Sequence, residues 1–285
     1  MYATFDLDRP HDLASALALL KTKGAVALAG GTNLIVDLRA GRECPERVVS
    51  LDKLEGLRGI KQAGGKITIG GRTTVTDLLL SPAVAKTAPA LVAAAKQFAG
   101  QMVRNTATVA GNIACGSPAA DLVPPLVALD AELTLVSARG RRTVPIASFF
   151  TGYKKDARRP GELIGQISWK IPPARSCGLF YKLARRKGDA ITVVGVAVGL
   201  TVNKGRCTRA RIALGAVAPV VFRAREAETI LEGQVLTPAL IETTAKAAAA
   251  AARPIDDIRA SAAYRRHGVH VLVRRLVGQA WKKLS

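Results

Sequence analysis

Thr108-Val109-Ala110-Gly111-Asn112-Ile113-Ala114-Cys115-Gly116-Ser117-Pro118-Ala119-Ala120-Asp121 is the stretch that decides the fold. It combines two glycines, small side chains, hydroxyls and one carboxylate, and Ile113 is its only bulky residue. A backbone built from such residues approaches a ligand closely, and its N–H groups and hydroxyls suit phosphate oxygens. Asp121 favours a sugar hydroxyl or another neutral donor. We predict that this stretch, the second motif below, is a ligand-binding loop; the alternative is a tight turn between buried elements.

A similar stretch lies upstream. Ala25–Leu28 is predicted to be a short buried strand, and it leads directly into Ala29-Gly30-Gly31-Thr32-Asn33, the first motif below. The apolar residues Leu34-Ile35-Val36 follow. The first motif is neither a GxGxxG fingerprint nor a Walker P-loop, because no Gly-Lys-Ser/Thr follows the glycines. Its backbone is nevertheless suited to an anion. The two motifs together could clasp opposite sides of one diphosphate.

The composition is that of a globular protein with more than one subdomain. The chain has 285 residues, and 49% of them are hydrophobic. No run approaches the ~20 apolar residues of a membrane span, and no secretory signal is evident, so we expect a cytoplasmic protein without a membrane span. The net charge of +21 is compatible with a nucleic-acid-binding protein. The cations are spread along the chain, however, so a surface that docks acidic partner subunits fits equally well.

Metal and nucleophile chemistry have little support in the sequence. The four cysteines, Cys44, Cys115, Cys177 and Cys207, are scattered and form no CxxC pair. His267 and His270 have a spacing of three residues, but no third ligand accompanies them. We therefore predict no metal site and no catalytic residue in this chain.

Hydrophobic periodicity and turn residues predict a mixed α+β chain. The predicted elements are helices at 12–20, 76–80, 88–99, 238–252 and 261–283, and strands at 25–28, 48–51, 60–69 (a hairpin), 132–136, 143–146, 162–171, 179–183, 193–202 and 210–217. Pro172-Pro173 marks the main boundary. We predict a first domain at 1–174 with two α/β subdomains. The subdomain at about 1–55 is built on a small parallel sheet, and the subdomain at 56–174 is built on a mainly antiparallel sheet. A C-terminal domain at 175–285 is predicted to have a three-stranded antiparallel sheet with helices.

With these motifs in this order, the chain resembles the FAD-binding medium subunit of the molybdenum hydroxylases, the xanthine dehydrogenase, carbon monoxide dehydrogenase and aldehyde oxidoreductase family. The likeness covers nearly the whole chain. The first motif, together with Leu34, resembles the family's first flavin loop. The family's second flavin loop is similar to a longer stretch, which consists of Phe98-Ala99-Gly100, residues 103–105 and the second motif. The stretch 181–186 looks like the strand that carries a flavin-facing lysine, and 264–266 begins a helix similar to the family's last one. Ala110 stands where many relatives have glycine.

The resemblance implies a set of FAD contacts. The first motif would hold the diphosphate from one side and the second motif from the other, and Asp121 would reach ribityl or ribose hydroxyls. Phe98 and Ala99 would lie by the adenine. Ile164 would pack near the isoalloxazine ring, and Lys182 would approach the polar edge of that ring. The implied cofactor-binding residues are Leu28, Ala29, Gly30, Gly31, Thr32, Asn33, Leu34, Ile35, Phe98, Ala99, Thr108, Ala110, Gly111, Asn112, Ser117, Asp121, Ile164 and Lys182. Plain core packing is the alternative for Phe98 and Ile164, and an exposed strand-end cation for Lys182.

The resemblance also implies one part of a three-part oxidoreductase. A large molybdopterin subunit would hydroxylate the substrate, and a small subunit with two [2Fe–2S] clusters would relay electrons to FAD in this chain. The complex would be a heterotrimer or its dimer, without nucleic acid, and the chain alone would not hydroxylate substrate. The acceptor could be NAD, oxygen, a quinone or another carrier. The alternatives are a stand-alone flavin reductase or oxidase of the same fold, and a basic nucleic-acid-binding protein.

Overall fold

The computed structural model describes residues 4–285, which form a mixed α/β protein built on four sheets. The strands are β1 Asp6–Asp8, β2 Ala25–Leu28, β3 Arg47–Ser50, β4 Ile60–Ala63, β5 Lys66–Gly70, β6 Glu132–Ser137, β7 Gly140–Pro145, β8 Phe150–Gly152, β9 Lys155–Asp156, β10 Leu163–Lys170, β11 Ser176–Ala184, β12 Thr192–Asn203, β13 Arg206–Gly215 and β14 Phe222–Arg223. The helices are α1 Leu13–Leu19, α2 Leu34–Arg39, α3 Val75–Leu80, α4 Pro82–Thr87, α5 Pro89–Gln97, α6 Gln101–Thr106, α7 Val109–Ala114, α8 Val123–Ala128, α9 Arg225–Leu231, α10 Pro238–Ala251 and α11 Ala262–Leu284.

The sheets follow one another along the chain. A parallel sheet has the order β1-β3-β2, and a five-stranded antiparallel sheet has the order β4-β5-β10-β6-β7. A small β8-β9 pair follows, and the C-terminal antiparallel sheet has the order β11-β12-β13-β14. The predicted α+β class, with its small parallel and its mainly antiparallel sheet, is confirmed. The predicted domain boundary near 174 falls in the connection between β10 and β11, and it stays a prediction.

The C-terminal sheet has four strands, so the predicted three-stranded sheet is wrong. The fourth strand is β14, which pairs with β13 through Leu214 and Ala213. It has two residues, and so short a segment shows no alternation of apolar and polar side chains in the sequence. β14 is therefore defined by its pairing with β13.

Helix ends are fixed by local hydrogen bonds that the sequence supplies. Thr74 and Asp77 form a reciprocal capping box at the start of α3. Ser261 caps α11 by accepting a hydrogen bond from the N–H of Tyr264. The predicted long helices at 238–252 and 261–283 are confirmed within one residue at each end. The predicted helix at 88–99 is shorter, because Ala88 and Phe98 leave helical conformation on either side of α5.

Two faces of the C-terminal sheet bury different cores. Phe180, Ala197 and Ala213 face the large core formed by the five-stranded sheet and helices α3 to α8. The opposite face packs against α9, α10 and α11. A smaller core joins α1 and the parallel sheet to Val136 and Leu163. The sheet is therefore the layer that couples the first 170 residues to the last helices. No helix in the described range 4–285 is long and apolar enough to cross a membrane.

Candidate functional site

The first motif packs against the residues that directly precede the second motif. Gly30 approaches the segment before the second motif so closely that a Cβ atom built on it would be 1.9 Å from the carbonyl oxygen of Thr106. Real Cβ atoms do not make such contacts, so only glycine fits at this position. Gly31 has φ +71°, a conformation that side-chain-bearing residues rarely adopt. These two glycines therefore set the shape of the first motif and its contact with the segment that precedes the second motif.

The first motif offers a row of unused donors. The backbone N–H groups of Gly30, Gly31, Thr32 and Asn33 donate no hydrogen bond to any group in residues 4–285. The motif is half-buried or exposed, and α2 begins directly after it. Consecutive free N–H groups beside a left-handed glycine form the kind of concavity that binds anions. A diphosphate fits this donor set.

The second motif is partly helical, so the predicted loop is wrong over its first half. Val109–Ala114 forms α7, because Thr108 Oγ1 accepts a hydrogen bond from the N–H of Gly111 at 3.0 Å and caps the helix. Asn112 Oδ1 accepts a hydrogen bond from the N–H of Leu122 at 3.3 Å. This bond fixes the side-chain amide of Asn112 and directs its NH₂ group away from Leu122.

A buried polar cluster joins the second motif to the C-terminal sheet. Lys182 Nζ lies 2.6 Å from Asp121 Oδ2, and both side chains are only 6% exposed. Thr192 Oγ1 donates to Asp121 Oδ1. Burial raises the pKa of Asp121, although the ammonium of Lys182 and the two hydrogen bonds favour the ionised form. The carboxylate is thus held by two groups from β11 and β12.

The turn after α5 lies beside this cluster. Lys182 Nζ also donates to the carbonyl oxygen of Gln97 at 3.1 Å. Arg104 Nη1 donates to the carbonyl oxygens of Phe98 and Ala99 at 2.9 and 2.5 Å. The structure therefore brings Phe98, Ala99, Asp121 and Lys182 into one neighbourhood.

The other predicted site residues lie on several different elements. Leu28 ends β2, Leu34 and Ile35 begin α2, and Ser117 Oγ accepts a hydrogen bond from the N–H of Ala119. Ile164 is 7% exposed and belongs to the large core. Its carbonyl oxygen would be 2.2 Å from a Cβ atom at Gly71, so this part of β10 is tightly enclosed. Ala110 is buried in α7.

Two polar residues of this neighbourhood, Thr192 and Arg104, carry no distinguishing signal in the sequence. Thr192 stands at the first position of β12, where no spacing or motif distinguishes it. Arg104 lies in α6, and its bonds to the turn after α5 depend on how α6 follows that turn. Neither has a local signal, because their partners are set by tertiary packing.

Residues 4–285 bring no three His, Cys, Asp or Glu side chains close enough to hold a metal ion. The cysteines Cys44, Cys115, Cys177 and Cys207 are free thiols. Burial raises the pKa of the Cys207 thiol to about 11, so it is un-ionised at neutral pH.

Comparison with known proteins matches nearly the whole chain. Residues 3–173 match the FAD binding domain in molybdopterin dehydrogenase, and residues 179–280 match the CO dehydrogenase flavoprotein C-terminal domain. The carbon monoxide dehydrogenase medium chain of Hydrogenophaga pseudoflava is 34% identical, with 99% of this chain and 98% of that protein covered. The xanthine dehydrogenase FAD-binding subunit of Escherichia coli O157:H7 is 32% identical, with 95% and 94% covered.

Solved structures agree with this. A chain of carbon monoxide dehydrogenase from Hydrogenophaga pseudoflava, in a form that lacks the Mo-pyranopterin moiety of its cofactor, superposes with a TM-score of 0.96 at 33% identity over 100% of both chains. A chain of quinoline 2-oxidoreductase from Pseudomonas putida 86 gives a TM-score of 0.93 at 29% identity, with 100% of this chain and 99% of that chain covered.

Proposed function

The chain belongs to the FAD-binding medium subunits of the molybdenum hydroxylase family, and on this premise we propose that it is the electron-transfer subunit of such a complex. It takes electrons from the [2Fe–2S] clusters of a small partner subunit and passes them to an external acceptor. Substrate is hydroxylated in a large molybdopterin subunit, so this chain alone has no hydroxylase activity. FAD, when bound, supplies the ability to accept two electrons together and release them.

One observation carries this proposal: the first glycine motif packs against Thr106 and Ala107, which directly precede the second motif. Gly30 has room for no Cβ beside Thr106, and four consecutive N–H groups of the first motif are unused in the described residues. The second motif follows this contact directly in the sequence, and it contributes Thr108, Gly111 and Asn112. These donors and small residues fit a dinucleotide diphosphate, and we assign them to it.

Lys182 is suited to the flavin ring. Its ammonium has three N–H donors, and the bonds to Asp121 and Gln97 use two of them. The third is available to a polar edge of the ring, where a cation stabilises the negative charge that develops on reduction. Asp121 in turn keeps the ammonium in place and retains lone pairs for a sugar hydroxyl.

The basic surface supports docking of acidic partner subunits. Helix α11 contains no Asp or Glu, and its exposed face carries Arg266, Arg274, Arg275, Lys282 and Lys283. Among these five, and within residues 4–285, Arg274 alone approaches an acidic group, at 3.7 Å from Glu242. A face of one sign steers an oppositely charged surface toward it. We propose that it contacts partner subunits of a cytoplasmic complex.

Reconstitution with FAD tests the proposal. The purified chain is expected to bind one FAD and to show flavin absorbance, and the complex assembled with both partner subunits is expected to reduce that flavin when substrate is added. A colourless protein whose affinity for DNA falls steeply with salt would point instead to a nucleic-acid-binding protein. Turnover of a reductant and acceptor by the isolated chain would point to a stand-alone flavin reductase or oxidase.

A further inference from the structure

Strand β12 begins with a β-bulge. In its ladder with β11, Leu183 pairs with Val194, and the next residue, Ala184, pairs with Thr192. The register skips Val193, which is the extra residue of the bulge. Val193 and Val194 are both buried in the core beneath α11, although successive residues of a regular strand face opposite sides of the sheet. The bulge therefore turns Thr192 away from α11 and towards the other face.

The buried guanidinium of Arg265 supports this bulge from α11. Its Nη1 donates to the carbonyl oxygen of Val193 at 2.8 Å and to that of Ala216 at 3.0 Å, so it joins the start of β12 to the segment after β13. Arg265 is 2% exposed, and its Nη2 donates to Asp257 Oδ1 at 2.7 Å. Hydrogen bonds from a charged donor are stronger than those between neutral groups. The direction of the Thr192 side chain is thus fixed by the packing of the last helix.

The bulge brings Thr192 to the carboxylate of Asp121. Thr192 is 3% exposed, and its Oγ1 donates to Asp121 Oδ1. Within residues 4–285, the Asp121 carboxylate accepts hydrogen bonds from Thr192 and Lys182 alone. Burial raises the pKa of Asp121, whereas Lys182 and Thr192 favour the ionised form. The hydroxyl of Thr192 is therefore one of two groups that keep this buried carboxylate charged and in place.

The Lys182 ammonium depends on Asp121 in turn. It donates to Asp121 Oδ2 at 2.6 Å and to the carbonyl oxygen of Gln97 at 3.1 Å. An ammonium has three N–H groups, so these two bonds set the direction of the third. If Asp121 turns or takes up a proton, the ammonium loses its anionic partner and that direction. Thr192 thus acts on the ammonium through the carboxylate.

We propose that Thr192 is a positioning residue for the flavin, which holds the Asp121 carboxylate against the Lys182 ammonium and so keeps that cation where the flavin ring binds. This rests on the proposed function, in which Lys182 lies at the polar edge of the ring. A cation there favours reduced FAD, because the ring gains negative charge on reduction. Thr192 needs no contact with FAD. Its loss therefore lowers the midpoint potential of the bound flavin, while FAD is retained.

The midpoint potential of the FAD-loaded chain tests this, measured by anaerobic titration against a reference dye. Thr192→Val keeps the branched shape of the side chain and removes its hydroxyl. We expect its preference for reduced over oxidised FAD to fall about tenfold, which corresponds to a potential about 30 mV more negative for a two-electron couple. Thr192→Ser keeps the donor and is expected to have the wild-type potential.

A double variant shows whether the effect is transmitted through Lys182. Lys182→Met alone is expected to lower the potential at least as much as Thr192→Val, and the two together are expected to lower it no further. Thr244→Val is the matched control. Thr244 is 0% exposed, and its Oγ1 donates to the carbonyl oxygen of Leu240 within α10. This variant also loses a buried hydroxyl, and it is expected to keep the wild-type potential.

Should Thr192→Val fail to fold, Thr192→Cys decides the question, because a thiol is a weaker donor than a hydroxyl. Its potential is expected to be more negative than that of the wild type. The proposal is overturned by a wild-type potential in the Thr192 variant that lacks the hydroxyl or in Lys182→Met, by an equal shift in Thr244→Val, or by a full further shift in the double variant. A wild-type chain that binds no FAD would instead overturn the proposed function, so the two failures are distinguishable.

Discussion

Lys182 of β11 and Asp121 of the second motif form a buried ion pair across 61 residues of sequence, with 2.6 Å between Nζ and Oδ2. The pair connects the C-terminal sheet to the segment that carries the second glycine motif, and Thr192 completes it. A buried pair of this kind is costly to break by removing one partner, because the remaining charge is left without compensation. The pair therefore couples the stability of the fold to the geometry of the site.

Asp121→Asn and Lys182→Met test that coupling. The free energy of unfolding of each single variant is expected to be about 3 kcal/mol lower than that of the wild type, because the remaining buried charge has lost its partner. The double variant is expected to be more stable than the sum of the two losses predicts. Urea unfolding of the four apoproteins measures the coupling free energy. Strict additivity would show that the two side chains do not interact.

Gly30→Ala tests the close packing of the first motif against Thr106. The new Cβ atom would lie 1.9 Å from the carbonyl oxygen of Thr106, so the first motif must move away from the segment that precedes the second motif. We expect FAD content after purification to fall at least tenfold. Gly56→Ala is the control, since a Cβ atom at Gly56 meets nothing within 4 Å. Equal FAD content in the two variants would contradict the assignment of the first motif to the diphosphate.

Asp257 gives a pH dependence of stability. Burial opposes its ionisation, but hydrogen bonds from Arg259 and Arg265 outweigh that effect and hold its pKa well below the ordinary value of 3.8. Because the pKa is lower in the folded state, the contribution of ionised Asp257 to the free energy of unfolding is complete above about pH 4. This contribution is lost as the pH falls further.

Asp257→Asn is expected to be less stable than the wild type at pH 7 by about 3 kcal/mol, because Arg265, only 2% exposed, loses its anionic partner. The difference between the two proteins should shrink below pH 4. Urea unfolding at pH 7, 4 and 3 measures it, with Asp6→Asn, on an exposed edge strand, as the control. A difference that stays constant down to pH 3 would contradict the role of the Asp257 charge.

Charge reversal on α11 tests the docking of acidic partners. The triple variant Arg266→Glu, Arg275→Glu, Lys283→Glu removes exposed cations without touching the buried face of the helix. We expect it to retain FAD but to assemble poorly with the partner subunits in size-exclusion chromatography, and wild-type assembly to weaken as salt increases.

The control for that experiment is a triple reversal of exposed lysines elsewhere, Lys61→Glu, Lys86→Glu, Lys170→Glu, which changes net charge by the same amount. It is expected to assemble normally. If both triple variants assemble equally well, the face of α11 is a solvated surface. If both fail equally, overall charge matters and the location of the cations does not.

The sequence by itself determined the family, the α+β class and the helices of the last fifty residues. Hydrophobic periodicity and caps such as Ser261 act within one turn of helix, so they are visible in a short window of sequence. The glycine motifs were visible for the same reason, since small residues next to a predicted strand are a local pattern. Their interpretation as a loop failed only where Thr108 caps α7.

Tertiary structure alone decided which groups meet. The partners of Lys182, Thr192 and Asp121 are separated by 61 to 85 residues, and no spacing rule connects them. β14 exists because β13 offers it an edge, and Arg104 reaches Phe98 because α5 and α6 are joined by a strained turn. Local patterns report what a segment prefers, whereas buried hydrogen bonds depend on where the packing of cores brings segments together.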